Sequence, residues 1–381
     1  MTFLDYASAW PITNKALDEF NKVAKLLGNP ASAHSYGFRL YKIVENSRST
    51  IANYLRTRPK NIIFTSGGTE SNNLAIQGIY QKAISVSKVR NKIITTAIEH
   101  PSVLEIVKKL AGSNVIYNKV DKNGLVDLDD LSKNLVKYAN TLALVSIQYI
   151  NNEIGTKQDI LSIVKLCQKY NAPYHTDAVQ AHDFCQLSEV GQLSKLAKMD
   201  KTFISISSHK IGGPAGIGAL VVPDYQIIDP LLAGGGQEMA LRSGSLDAAL
   251  ISAFAIACQD IEQNKDFVNR VKVYANQIVE ALPQGVKLNG LPINHSNRVN
   301  YILNLSVKTS KTPDEVAYLF DSNNLAISFG SACAARTLGP SNTLLALGQN
   351  SDLASKGLRV SFGLSTSQTD INNFLKIINL L

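Results

Sequence analysis

The chain has 381 residues, 45% of them apolar and 18% charged, with a formal net charge of +8. That length exceeds what one hydrophobic core usually serves, and the composition is that of an ordinary folded protein, which excludes a disordered or low-complexity chain and predicts a larger and a smaller unit. The Lys and Arg residues are spread along the chain without a dense basic run, so direct nucleic-acid binding is not expected and the charge reads as solubility or mild attraction to acidic partners.

The opening residues Met1-Thr2-Phe3-Leu4-Asp5 are acidic where a signal peptide would be basic, and no apolar segment follows. The longest near-apolar stretch, Ala248 to Cys258, is too short to span a bilayer and reads as a buried helix. Neither export nor membrane association is expected. The cysteines at 167, 185, 258 and 333 are too far apart for a CxxC pair or a thiolate zinc site. No metal centre is expected, and the setting fits a reducing cytoplasm.

Short β-rich runs alternate with longer helical patterns. The strands predicted in chain order are Ile62 to Thr65, Lys92 to Ala97, Val115 to Val120, Leu142 to Ile147, Thr202 to Ile206 and Ile217 to Val222. Helices are predicted over Thr69 to Ile84, Pro101 to Leu110, Asp127 to Tyr138 and Asp159 to Tyr170, several opened by the Asp, Thr or Pro that helix starts favour. This alternation predicts an α/β fold with a mostly parallel sheet flanked by helices. A glycine-rich stretch, Gly234 to Gly236, and Arg242-Ser243-Gly244-Ser245 precede a helical region from Leu246 to Leu282. Beyond it, strands at Tyr301 to Leu305 and Leu358 to Phe362 and a helix from Thr312 to Asp321 read as α+β. The expected division is a large domain over residues 16–246 and a small C-terminal domain over 247–381, which residues 1–15 join.

The run Asn61 to Asn73 reads as strand, glycine turn and helix, so that Gly68, Thr69 and the first helical N–H groups either cup a phosphate or form an ordinary capped turn. GxGxxG, Walker and HExxH motifs do not occur, which removes the main support for dinucleotide, nucleoside triphosphate and metalloprotease readings. Lys210 lies between a β-rich run and the loop Ile211-Gly212-Gly213-Pro214, where a desolvated amine can form a Schiff base or a surface lysine can simply end a strand. Asp177, in Tyr174 to Gln180, suits either a pyridinium partner or a helix cap. His100, between a strand and Pro101, can stack on a ring, move a proton or serve the structure alone. Asn152 follows a strand as a hydrogen-bond donor or as half of a loop-forming pair. Cys333 sits among small residues near Gly330, unlike Cys167 and Cys258 on apolar helical patterns, and Arg336 is a cation near enough in sequence to lower its pKa. Arg359 alternates with apolar neighbours and either grips a carboxylate or forms a structural salt bridge.

Together these segments resemble the cysteine desulfurases of the housekeeping and nitrogen-fixation type, within the fold-type-I, class-V aminotransferase superfamily of pyridoxal-phosphate enzymes. The resemblance runs nearly end to end, through Leu4-Asp5-Tyr6, Gly28 to Ser32, Phe64 to Ala75, Glu99-His100, Asn151 to Gly155, His175 to Gln180, Ser208-His209-Lys210, Arg242 to Ser245, Gly330 to Cys333 and Arg359. It implies that Lys210 carries pyridoxal 5'-phosphate, Asp177 pairs with the pyridine nitrogen, His100 stacks on the ring, and Asn152 and Gln180 bond around the phenolic oxygen. Gly68, Thr69, Ser207 and His209 would hold the phosphate, with Ser245 reaching it from the other subunit of a homodimer. Arg359 and Asn152 would fix the substrate carboxylate.

The implied reaction converts L-cysteine to L-alanine: Lys210 removes the α-proton, the Cys333 thiolate takes the sulfur as a persulfide, and an acceptor protein collects it for iron–sulfur assembly or tRNA thiolation. Ser208 stands where the family often has Gly, and Ser245 where it often has Thr; both keep a small or polar group. The sequence stops at Leu381, soon after its last helical pattern, which carries the expectation that a C-terminal scaffold-docking tail is missing. The alternatives are a selenocysteine lyase or another class-V enzyme, and, outside enzymes, a sulfur-relay platform.

Overall fold

The computed structural model describes residues 1–181, 199–264, 266–330 and 339–381. A short strand β1 (Thr2–Phe3) is followed by α1 (Asn14–Ala24), α2 (Ser35–Tyr54), β2 (Ile62–Thr65), α3 (Gly68–Val86), β3 (Lys92–Thr96), α4 (Pro101–Ala111) and β4 (Val115–Asn118). Next come α5 (Leu128–Tyr138), β5 (Leu142–Ser146), α6 (Ile160–Lys169), β6 (Tyr174–Asp177), β7 (Thr202–Ser207) and β8 (Gly218–Val221). The remainder holds α7 (Ala248–Gln263), α8 (Phe267–Glu280), β9 (Val286–Leu288), β10 (Ile302–Val307), α9 (Pro313–Ser322), β11 (Leu325–Ala326) and β12 (Ser328–Phe329). It ends with α10 (Asn342–Ala346), α11 (Ser351–Ser355), β13 (Gly357–Ser361) and α12 (Gln368–Ile378).

Seven strands form one sheet in the order β2-β8-β7-β6-β5-β3-β4. All pairs from β7 to β4 are parallel, and β8 runs antiparallel to both its neighbours. Neighbouring residues of a strand point to opposite faces. Ile63, Ile93, Leu144, Phe203 and Leu220 therefore pack with Leu74 of α3 and Val103 of α4, while Ile62, Ile94, Val145, Ile204 and Val221 join the core under α5, α6 and α7. Because helices cover both faces, β2, β5 and β8 read as nearly continuous apolar runs, while β6 and β7 bury polar residues such as His175 and Ser205. This is the mostly parallel, helix-flanked sheet that the sequence predicts.

A second, antiparallel sheet has the order β12-β13-β10-β9. Its core residues Leu303, Leu305, Leu358 and Val360 belong to the same cluster as Phe320 and Phe374 of the covering helices. The N-terminal residues lie with this sheet: β1 pairs in parallel with β11, Asp5 bridges to Ser361, and the Ala7 N–H donates to Ser361 Oγ at 2.8 Å. The helical region predicted from Leu246 to Leu282 is two helices. Asn264 ends the first, its Nδ2 donating to the Asp260 carbonyl at 2.7 Å, a local side-chain bond that competes with continuation of the helix.

Strand β2 forms an edge of the large sheet and leads directly into the glycine turn, so its outer backbone groups need partners. A buried ion pair supplies them. Arg48 forks onto Glu238 with contacts of 2.9 and 2.6 Å, its Nη1 also donates to the Ile62 carbonyl at 2.7 Å, and Glu238 Oε2 accepts the Phe64 N–H at 2.6 Å. The guanidinium also lies 4.5 Å from the Phe64 ring centre. Glu238, Met239 and Ala240 all hold positive φ (50°, 55° and 61°), a strained turn that this pairing keeps in place. Glu238→Ala, which leaves the buried Arg48 with only the more exposed Glu45 at 3.1 Å as counter-charge and uncaps the Phe64 N–H, is expected to destabilise the fold by about 3 kcal/mol; urea unfolding monitored by circular dichroism measures this.

Candidate active site

The parallel strands end at one edge of the large sheet, where their last backbone groups run out of ladder partners and loops gather polar side chains. A cavity of about 460 Å³ opens there, and residues that follow β2, β3, β5, β6 and β7 line it, joined by Arg359 from the second sheet. Gly68, Thr69, His100, Asn152, Asp177, Gln180, Ser207, His209, Lys210 and Arg359 all line this one space.

The turn after β2 requires glycine. Gly67 has φ 154°, and a Cβ on Gly68 would come within 2.8 Å of Val179 Cγ2. Helix α3 starts there without a side-chain cap, so its positive end faces the cavity. Ser207 Oγ and His209 Nδ1, 2.9 Å apart, line the cavity beside this turn. Burial, and secondarily the Lys210 charge, push His209 down to about 4, so it is a neutral ring at ordinary pH.

Asp177 ends β6. Its Oδ1 accepts the Val179 N–H at 3.0 Å and its Oδ2 accepts Asn72 Nδ2 at 2.8 Å. Gln180 donates to the Ala7 carbonyl at 2.9 Å, while its Oε1 is buried without a hydrogen-bond partner. Lys210 lies in the single turn after β7, and its Nζ donates to the carbonyls of Ala7 and Ser8, each at 2.6 Å. The N-terminal segment thus delivers two carbonyl oxygens to the lysine.

Arg359, alternating along β13 as predicted, turns into the cavity and is held there. Its Nη2 contacts Asp5 at 2.9 Å, and Ser8 and Ser328 at 2.8 Å; its Nη1 donates to the Asn152 carbonyl at 3.1 Å; its Nε is buried without a partner. The structural ion pair with Asp5 and a place on the cavity wall thus fall to the same side chain. The neighbouring asparagines divide the work. Asn151 Oδ1 accepts the N–H groups of Glu153 and Ile154 at 2.8 and 2.9 Å and so shapes the loop, which leaves Asn152 to line the cavity.

Among the described residues, one predicted site residue does not lie in this space. Ser245 is exposed and lines a separate cavity beside Gln237, Glu238 and Leu246. Cys333 and Arg336 lie outside the described residues. The flanks of that segment are nonetheless defined. Gly330 (φ 50°) donates its N–H to the Gly357 carbonyl at 2.8 Å, and a Cβ on it would collide with the Gly339 carbonyl. Just beyond, Ser341 and Thr343 (2.9 Å) hold the carboxylate of Glu153, which burial pushes above the usual range. Cys167 and Cys258 are buried thiols, as their helical patterns predict.

Sequence reasoning missed Asn72 and Ser102, which link Asp177 to His100. Their signal was position: Asn72 lies one helical turn past Gly68, and Ser102 directly follows Pro101. It also assigned no task to Glu99, whose carboxyl accepts Thr96 Oγ1 at 2.6 Å and the Gln148 N–H at 2.9 Å and which burial pushes up to about 8.

Comparison with known proteins agrees with this geometry. The sequence profile of the class-V aminotransferases matches residues 2–374. A mitosomal cysteine desulfurase of Trachipleistophora hominis is 36% identical, with 98% of this chain and 84% of that protein covered. The protein named cysteine desulfurase IscS from Dictyoglomus turgidum is 35% identical, with 99% and 93% covered. A solved structure described as SspA in complex with cysteine superposes with a TM-score of 0.80 at 29% identity, over 95% of this chain and 99% of that one. A profile and relatives that span nearly the whole chain, with a site assembled from both its sheets, show that the chain belongs to the cysteine desulfurases of the class-V aminotransferase family.

Proposed function

We propose that the protein converts L-cysteine to L-alanine and holds the released sulfur as a persulfide on Cys333 before passing it to an acceptor protein in a reducing cytoplasm. The observation that carries this reading is that Lys210 at the end of the large sheet and Arg359 of the small sheet line one cavity, with Asp177 and an uncapped helix start between its walls.

Membership in the family implies dependence on pyridoxal 5'-phosphate, and the residues present fit it. The cavity of about 460 Å³ lies within the usual range for small-molecule sites. The cradle at Gly68 would be filled by a Cβ, and the buried Gln180 Oε1 lacks a partner among the described residues. Gly68, Thr69, Ser207 and His209 would hold the phosphate, joined in a homodimer by Ser245 of the second copy, whose exposure outside its own chain's cavity supports that assignment. Asp177 would face the pyridine nitrogen, Gln180 and Asn152 the phenolic oxygen, and His100 the ring. Bound there, the cofactor supplies an electron sink for the bond electrons at the substrate α-carbon.

The chain's own groups account for the remaining steps. Arg359, which lines the cavity, binds the cysteine carboxylate. Lys210 Nζ, steered by the Ala7 and Ser8 carbonyls, takes the α-proton. The Cys333 thiolate attacks the substrate sulfur, the S–Cβ bond breaks, and the amino acid leaves as alanine; sulfur moves from one thiol to the other, so cysteine plus thiol becomes alanine plus persulfide. Ser328 touches Arg359, and Cys333 follows it by five residues, a reach of no more than about 18 Å.

Incubating the protein with cysteine and a reductant should yield alanine and sulfide in equal amounts; cofactor-loaded protein that makes neither would overturn the proposal. Cys333→Ala is expected to retain the visible absorption of the lysine-linked cofactor and lose sulfide release, whereas Lys210→Ala should lose that absorption. Gly68→Ala forces a methyl against Val179, an overpacking worth about 1–3 kcal/mol, so cofactor affinity should fall roughly tenfold or more and recover when Val179→Ala is added. Fluorescence titration of stripped protein with pyridoxal 5'-phosphate reads both values.

A further inference from the structure

His100 is the N-cap of α4, and both donors of Ser102 converge on its Nδ1, the backbone N–H at 3.1 Å and the hydroxyl oxygen at 2.7 Å. A backbone N–H can only donate, so Nδ1 must present its lone pair. The direction of the hydroxyl follows from its other neighbour. Asn72 Nδ2 stands 2.8 Å from Asp177 Oδ2 and 2.8 Å from Ser102 Oγ. Turning this amide would set Oδ1 against the carboxylate, so the nitrogen faces Asp177, and its second hydrogen goes to Ser102 even though Oδ1 is left buried without a partner. With Ser102 Oγ accepting from Asn72, its own proton is directed at His100 Nδ1.

We infer that the chain Asp177, Asn72, Ser102 holds His100 as a neutral imidazole with its proton on Nε2, so that His100 serves the cavity as a hydrogen-bond donor and a ring face and does not exchange a proton during turnover. The inference rests on the proposed desulfurase reading for its consequence, which is that the α-proton is left to Lys210; the tautomer itself follows from the hydrogen bonds alone. Asn72 and Ser102 are then positioning residues for the reaction.

The surroundings oppose a second proton. It would have to sit on Nδ1, pointed at the Ser102 N–H and at the positive end of α4. Burial lowers the imidazole's pKa first; Asp177 on β6 raises it; Lys210 after β7 and Arg359 on β13 lower it again, and the net direction is down. A neutral histidine at a helix start can polarise a bound group without giving up its proton. This differs from the general acid or base that a histidine at such a place would otherwise suggest.

The test is nitrogen NMR of holoenzyme and cofactor-stripped protein labelled with 15N-histidine, the His100 signals being those absent from His100→Gln. The expected result in both forms is a protonated Nε2 and a bare Nδ1, unchanged from about pH 6 to pH 9, across the range where an ordinary histidine titrates. A proton on Nδ1, or a titration within that range, overturns the inference. Ser102→Ala keeps the backbone N–H on Nδ1 and removes only the hydroxyl, so it should shift the His100 Nδ1 signal without moving the proton from Nε2, and Ser102→Thr should restore the shift; an unaltered spectrum in Ser102→Ala overturns the role given to Ser102. Alanine and sulfide measured on the same samples separate the two readings. A titrating His100 in an enzyme that releases both products sinks this inference alone, and a fixed tautomer in a protein that releases neither sinks the desulfurase reading alone.

Discussion

The site depends on one constraint: a parallel strand must stop, and where it stops its backbone groups lose their ladder. At the carboxyl edge of the large sheet those groups are taken up by turns and helix starts, which bring polar side chains with them. Asp177 stands at the end of β6, Lys210 in the turn after β7 and His100 at the start of α4. Each is held by the backbone that follows its strand. Their convergence is therefore a property of the sheet's topology, and Gly68 completes it by letting α3 approach Val179 more closely than any side chain permits.

The second sheet is tied to this edge by charge and by the N-terminal segment. Arg359 is buried, so its charge needs compensation, and Asp5 provides it at 2.9 Å with Ser8 and Ser328 completing the shell. The same segment offers the Ala7 and Ser8 carbonyls to Lys210 and the Ala7 carbonyl to Gln180. Four residues near the amino terminus, 5–8, thus connect the lysine, the arginine and the strand that precedes Cys333. The position of Arg359 relative to Lys210 is set by this short strap.

Burial sets the charge states around the cavity. It pushes His175 and His209 down to about 4 and Glu99 up to about 8, so all three are neutral near pH 7. His175 spends its ring nitrogens on Ser146 and Ser205, at 2.8 and 3.0 Å, inside the sheet. Glu99 ties the turn before His100 to β5 through the Gln148 N–H, and Gln148 and Asn151 return two bonds to the Ile98 carbonyl. A cavity whose walls are mostly neutral leaves the fields of Asp177, Lys210 and Arg359 less screened, which strengthens their interaction with a bound group.

Much of this was legible in the sequence. The alternation of apolar runs with capped helical patterns determined the α/β class, because strands covered on both faces are mostly apolar and helix starts favour Asp, Thr or Pro. The glycine turn, Asp177, Lys210 and Arg359 each allowed a structural reading as well, and they stood out through their company in the ordered motifs that resemble the cysteine desulfurases. Tertiary structure decided what no local pattern carries. The pairing of Arg48 with Glu238 spans 190 positions and that of Arg359 with Asp5 spans 354, so neither has a sequence period. The link from Asp177 through Asn72 and Ser102 to His100 joins β6, α3 and α4, and only packing those elements against one another shows that an asparagine and a serine with ordinary helical positions meet. Propensity and periodicity act over a few residues, whereas hydrogen-bond direction is settled between groups that the fold alone brings within 3 Å.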